Sequence, residues 1–154
     1  MLRGISPLIS PQLLKILSEM GHGDEIVLAD AHFPAMGLGP QVVRADGLDI
    51  PRLLEAILAL MPLDQYDPDH FALMEVVPGD PVVPVIWDTY REILQKAEPD
   101  TQPTYVERFA YYERAKKAYC IVATGEVAQY ANVILKKGVV KESPSVACRK
   151  DRKS

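Results

Sequence analysis

Cysteine is scarce in this chain: only Cys120 and Cys148 occur among 154 residues. A small secreted scaffold held by disulfides normally carries more, so two scattered thiols point to a reducing compartment and a cytoplasmic location is expected. Long apolar runs are missing as well. No stretch approaches the roughly 20 apolar residues that span a bilayer, and Leu2-Arg3-Gly4-Ile5-Ser6-Pro7 lacks the apolar centre of a secretion signal. No membrane partner is expected. Nor is there an excess of positive charge. Lys and Arg number 17 against 21 Asp and Glu, a formal net charge of −4, which favours neither nucleic acid nor an anionic surface as partner. Nucleotide fingerprints are absent too: there is no Walker loop, no Gly-x-Gly-x-x-Gly after a strand and no Gly-x-Ser-x-Gly elbow. Nucleotide-cofactor and serine-hydrolase chemistry therefore have no support.

What is present is an ordinary globular balance. Hydrophobic residues make up 48% and charged residues 25%, enough for one core-forming domain of usual size. Ser10-Pro11 reads as a helix cap and first turn, followed by Leu13, Leu14, Leu17 and Met20 at helical spacing, with Gly21 as the stop. Glu25 to Asp30 reads as a strand covered on both faces. Residues 33–40 are loop by their punctuation, and Gln41–Arg44 is a short strand closed by Asp46-Gly47. Asp49 and Pro51 open a helix whose buried stripe is Leu53, Leu54, Ile57 and Leu58. Strands are then expected at Phe71–Val77, Thr104–Phe109, Tyr119–Ala123 and Val133–Leu135. Helices are expected along Val85–Leu94 and Glu113–Lys117. This alternation predicts a single α/β layered domain over residues 1–140, with 141–154 a polar, basic tail that frays.

Several residues could carry chemistry, and each has a plainer alternative. His22, between Gly21 and Gly23, is an imidazole in a loop that a ligand could approach, suited to acid and base work near neutrality; it could equally be a polar residue beside a helix end. Asp30 stands at the carboxyl end of a strand, where ligands of open α/β sheets collect, or it caps the Ala31-His32 turn. His32 reads equally well as a solvated loop residue, and His70 as a surface one. Arg108 offers a fixed fork of donors, or pairs with Glu107 or Glu113. Tyr111 and Tyr112 offer aromatic faces on which a sugar could stack, or they simply pack at a corner. Tyr130 and Asn132 offer neutral hydrogen-bonding groups, or form a turn before the last strand. No metal is expected, because zinc needs three or four converging ligands and His22 with His32 is only a pair.

Taken together, the segments resemble the L-fucose mutarotase / D-ribose pyranase family. The matching stretches include Glu19-Met20-Gly21-His22-Gly23-Asp24-Glu25-Ile26, Asp30-Ala31-His32-Phe33-Pro34-Ala35 and Arg44-Ala45-Asp46-Gly47. They continue with Arg108-Phe109, Tyr112-Glu113-Arg114-Ala115, Thr124-Gly125-Glu126, Tyr130-x-Asn132 and Leu135-Lys136-Lys137-Gly138-Val139. The resemblance implies a three-layer α/β/α fold with a mixed sheet, and a ring-like homo-oligomer, often a decamer. It also implies His22 as proton donor, with Asp30, Arg108, Tyr130 and Asn132 binding a monosaccharide. Arg108 places the chain in the L-fucose branch, since the ribose branch tends to carry histidine there. The implied reaction opens and recloses a pyranose ring by moving protons at O1 and O5, so no cofactor is expected. Water, Asp30 or a tyrosine could take the O1 proton. A ribose pyranase and a non-catalytic sugar-binding protein are the alternatives. One departure stands out: Ala131 occupies a position where the family usually has glycine, which would cost stability if that backbone requires a positive φ.

Overall fold

The structure, a computed structural model, describes residues 1–141; Cys148 and the tail expected beyond Lys141 lie outside the described residues. Helix α1 (Pro11–Glu19) starts as its sequence dictates. The Ser10 hydroxyl accepts the Leu13 amide at 3.1 Å, Pro11 needs no partner at the first position, and Leu13, Ile16 and Leu17 face the core. The helix ends at Met20 in extended backbone, so the left-handed turn falls not at Gly21 but at Gly23, with φ +86°. Strand β1 (Glu25–Ala29) and strand β2 (Gln41–Ala45) follow, separated by a 3₁₀ turn at Ala35–Gly37. Helix α2 (Ile50–Leu58) repeats the logic of α1: Asp49 accepts the Arg52 amide, Pro51 occupies the first turn, and Ile50, Leu53, Leu54 and Ile57 are buried.

Strand β3 (Phe71–Met74) is shorter than its apolar run suggested. Helix α3 (Ile86–Ala97) buries Tyr90 and Leu94 but leaves Val85 exposed just ahead of it. The clearest departure from the sequence reading comes next. Strand β4 (Pro103–Val106) stops before Arg108-Phe109, and helix α4 (Arg108–Lys116) begins there rather than at Glu113. The cause is Glu107, whose carboxylate accepts the Phe109 and Ala110 amides, both at 3.0 Å, and so acts as an N-cap. Strands β5 (Cys120–Thr124) and β6 (Val133–Lys136) complete the regular elements among the described residues.

The six strands form one mixed sheet in the order β2-β5-β1-β6-β3-β4. β1, β2 and β5 are mutually parallel, as are β3 and β4, while β6 runs antiparallel between β1 and β3. Alternate residues of β1 enter two separate cores. Ile26 and Leu28 pack with α1, α2 and α3, whereas Val27 and Ala29 pack with Tyr111 and Ala115 of α4. The result is the expected three-layer α/β/α arrangement. Cys120 lies wholly buried in β5, and burial pushes its thiol up to about 11. His70, read from sequence as a surface residue, is also buried, because it immediately precedes the fully covered β3.

The register has one consequence for function. Antiparallel pairing sets Leu28 opposite Val133 and Glu25 opposite Lys136. The carboxyl ends of β1, β3 and β4 and the amino end of β6 therefore share one edge of the sheet. The His22 loop and the Lys136–Gly138 segment share the other.

Candidate active site

At the carboxyl-end edge lies an open pocket of about 550 Å³, within the usual size range of small-molecule sites. Asp30, Arg108, Tyr130 and Asn132 all line it, together with His32, Phe33, Met74, Asp80 and Tyr112. They arrive from three parts of the chain. Asp30 follows β1, Arg108 opens α4 after β4, and Tyr130 and Asn132 precede β6.

Asp30 is fixed twice over. Its amide donates to Asn132 Oδ1 at 2.7 Å, and its Oδ1 accepts the His32 amide at 2.9 Å. Its carboxyl is raised above the ordinary value by burial, which outweighs the lowering from the His32 amide, the His32 charge and the bonds around Phe33 and Asn132. Asn132 is itself buried, and its oxygen is committed to the Asp30 amide.

Arg108 is exposed, and its guanidinium lies over the rings of Phe109 and Tyr112, 5.5 and 5.8 Å from their centroids. Both partners considered for it from sequence are engaged elsewhere. Glu107 caps α4, and Glu113 pairs with Lys116 at 2.8 Å. The arginine is thus braced on aromatic faces and keeps its fork of donors for the pocket.

Tyr130 is the residue with a positive φ, +57°, and among the described residues no other non-glycine has one. Such backbone strain gathers at ligand sites. Three bonds hold it: its hydroxyl donates to Asp80 Oδ2 at 2.6 Å and accepts the Val77 amide at 3.1 Å, and its carbonyl accepts Trp87 Nε1 at 2.8 Å. Ala131, the departure from the family's glycine, does not have a positive φ. It is fully buried, and its carbonyl takes the Tyr90 hydroxyl at 2.7 Å. The hydrogen bond to Asp80 also keeps the Tyr130 phenol above its ordinary range.

Asp80 and Trp87 carried no functional signal in sequence. Pro78-Gly79-Asp80 reads only as a turn, and nothing local reveals that it reaches across to Tyr130. The role of Thr124-Gly125-Glu126 emerges only in three dimensions as well. The Thr124 hydroxyl donates to the Ala29 carbonyl at 2.7 Å. The buried Glu126 carboxylate accepts the Ile50, Val127 and Ala128 amides, fixing the wall from which Val127 to Tyr130 face the pocket.

His22 is not in this pocket. β1 separates it from Asp30, and five strand residues at ~3.3 Å each span roughly 17 Å. At its own end of the sheet, His22 Nε2 sits 2.9 Å from Asp64 Oδ1, and its ring meets the exposed Tyr66 edge-on at 5.5 Å. Among the described residues no three His, Cys, Asp or Glu side chains converge as a metal site would.

A mixed sheet with this polar pocket at its strand ends defines a small-molecule site, and residues 3–140 match the RbsD / FucU transport protein family, to which the chain belongs. Among solved structures, it is similar to the fucose mutarotase from Streptococcus pneumoniae in complex with L-fucose: 54% identity, TM-score 0.87, covering 91% of this chain and all of that one. FucU from Bifidobacterium longum is 50% identical, with TM-score 0.88 over 90% of this chain and all of the relative. RbsD from Bacillus subtilis, complexed with D-ribose, shares the fold at 22% identity and TM-score 0.67, over 92% of this chain and all of that one.

Proposed function

We propose that this chain is a cofactor-independent mutarotase that interconverts the α and β anomers of L-fucose. The observation that carries the reading is the convergence of Asp30, Arg108, Tyr130 and Asn132 on one pocket. Carboxylate acceptor, guanidinium and amide donors and aromatic faces suit a polyhydroxylated ring. The S. pneumoniae relative, with L-fucose bound, supports the choice of sugar. As the ring opens, the O1 proton leaves and a proton reaches O5; C1 becomes an aldehyde, rotates, and closes on the other face with both transfers reversed. Protons balance over the cycle, so the chemistry calls for an acid, a base and a holder of hydroxyls. Asp30, Arg108 and Asn132 hold the sugar while C1 turns.

His22 is the proton donor in this proposal, supplied by a neighbouring copy. Its distance from Asp30 rules out service to its own chain's pocket, and its side chain is 46% exposed. Val127, at 77% exposure, lies on the pocket's rim, and Phe109, at 67%, stands beside Arg108; Tyr66, at 74%, stands beside His22. Apolar groups so placed around a pocket and an acid suit coverage by another copy. A closed ring of copies, working in a reducing cytoplasm, satisfies both ends of each chain. No described helix is long and apolar enough to cross a membrane.

Exchange NMR on L-fucose with catalytic amounts of protein and no cofactor tests the reading, with D-ribose alongside. Accelerated α/β exchange of fucose is expected. Saturable fucose binding with unchanged exchange would make the chain a binding protein. Acceleration confined to pyranose–furanose exchange of ribose would move it to the other branch.

A further inference from the structure

Leu135-Lys136-Lys137-Gly138 lies at the sheet edge opposite the pocket, and its contacts converge on the His22 loop. The Lys137 amide donates to the Asp24 carbonyl and its own carbonyl accepts the Gly23 amide, both at 2.9 Å. The Lys137 ammonium donates to the Leu17 and Met20 carbonyls, closing the free end of α1, where positive charge is favoured. On the other side, segment 62–64 is pressed against 136–138. Gly138 donates its amide to Pro62 at 2.7 Å, and Asp64 donates its amide to the Lys136 carbonyl at 3.0 Å. A Cβ on Gly138 would stand 2.3 Å from the Leu63 carbonyl oxygen, so only glycine permits this approach. Asp64 is thereby held with its side chain 6% exposed, its Oδ1 accepting the Tyr66 amide at 3.0 Å and lying 2.9 Å from His22 Nε2.

We propose that Asp64 is the positioning residue of His22, fixing the imidazole as its Nε2–H tautomer and leaving Nδ1 to exchange protons with the sugar. This rests on the reading of His22 as the proton donor. A carboxylate only accepts hydrogen bonds, so the nitrogen facing it must carry the hydrogen. Burial works against the Asp64 charge, yet bonds from His22 and the Tyr66 amide, with the charge of Lys136, hold its carboxyl below the usual range. Asp64 therefore stays ionised and steadies the imidazolium when Nδ1 is protonated, without taking the proton itself, the division of labour seen in catalytic triads. In the donating step the Nδ1–H bond breaks as the O5–H bond forms.

The chain has only three histidines, so ¹⁵N-histidine labelling with long-range H–N correlation reads the His22 tautomer directly, the H22Q spectrum giving the assignment. Wild-type protein should show Nε2–H. An Nδ1–H tautomer, or an even mixture, would overturn the proposal without any variant having to fold. In Asp64→Asn the single tautomer should become mixed, since an amide can accept or donate. Its kcat for fucose exchange should fall at least about tenfold with KM within about twofold, because binding groups lie at the other end of the sheet. Turnover lost in H22Q but retained in D64N sinks the positioning role alone. Full turnover in H22Q would sink the reading of His22 as the acid.

Discussion

Replacing Asp30 with asparagine separates a residue kept for ligand binding from one kept for stability. Asparagine preserves the shape and can still accept the His32 amide through its Oδ1, so the backbone at the end of β1 keeps its partners. What disappears is the charge, and the outward acceptor becomes an NH₂ donor. A charge-assisted hydrogen bond contributes ~1.5–3 kcal/mol, so L-fucose affinity should fall about 10- to 150-fold. Stability should move the other way. The Asp30 carboxyl is raised in the folded protein because burial disfavours its charge. A carboxyl raised on folding costs stability that builds as pH rises from its unfolded value through its folded one. Removing the charge should therefore leave Tm unchanged or higher at pH 7, with the gap to wild type closing in acid. Calorimetric titration with L-fucose and thermal unfolding of the same samples read both effects. Unchanged affinity together with a Tm lowered by several degrees would refute the reasoning and make Asp30 a structural cap.

The polar supports of the site give further expectations. Glu126→Ala leaves three amides without their acceptor, at about 1 kcal/mol each; thermal melting should show a Tm loss of about 5–15 °C, and a wild-type Tm would contradict the network. Asp64 and Asp67 are both held below the ordinary carboxyl value. Their bonds stabilise the fold above the unfolded value near 4 and are lost as pH falls through the folded ones, so urea midpoints should stay level from pH 7 to 5 and drop below about pH 4. D64N should show a smaller acid drop. Light scattering at micromolar concentration should give a mass several times that of one chain; a clean monomer would contradict assembly.

Where local chemistry decides, the sequence is legible. Ser10-Pro11 and Asp49 with Pro51 cap α1 and α2 as read, and the apolar runs of β1 and β5 are covered on both faces. The start of α4 is hidden because its cap is glutamate, outside the usual Ser, Thr, Asp and Asn, and because Thr104–Phe109 carries a strand-like pattern. His70 misleads for a similar reason, its polar neighbours concealing a buried position. The four residues that the family resemblance names as sugar-binding do meet in one pocket. Separation in sequence is the poorer guide. His22 and Asp30 are near neighbours along the chain, but a strand between them sends them to opposite edges. Asp80 and Asp64 make the reverse point, since each meets its partner, Tyr130 or His22, only through the sheet's register.

Subunit complementation tests the shared site most directly. H22Q removes the proposed proton donor but keeps the pocket, and an Asp30→Ala chain removes the proposed sugar-holding carboxylate but keeps His22. Each assembly alone should be nearly silent in L-fucose exchange NMR. Co-expressed with different tags and purified through both, the mixed assemblies should regain activity. A site that takes its acid from one chain and its pocket from another is intact about one time in four on random mixing, so about a quarter of the wild-type exchange rate should return. Mixed assemblies as silent as their parents would contradict a site built from two copies of this chain.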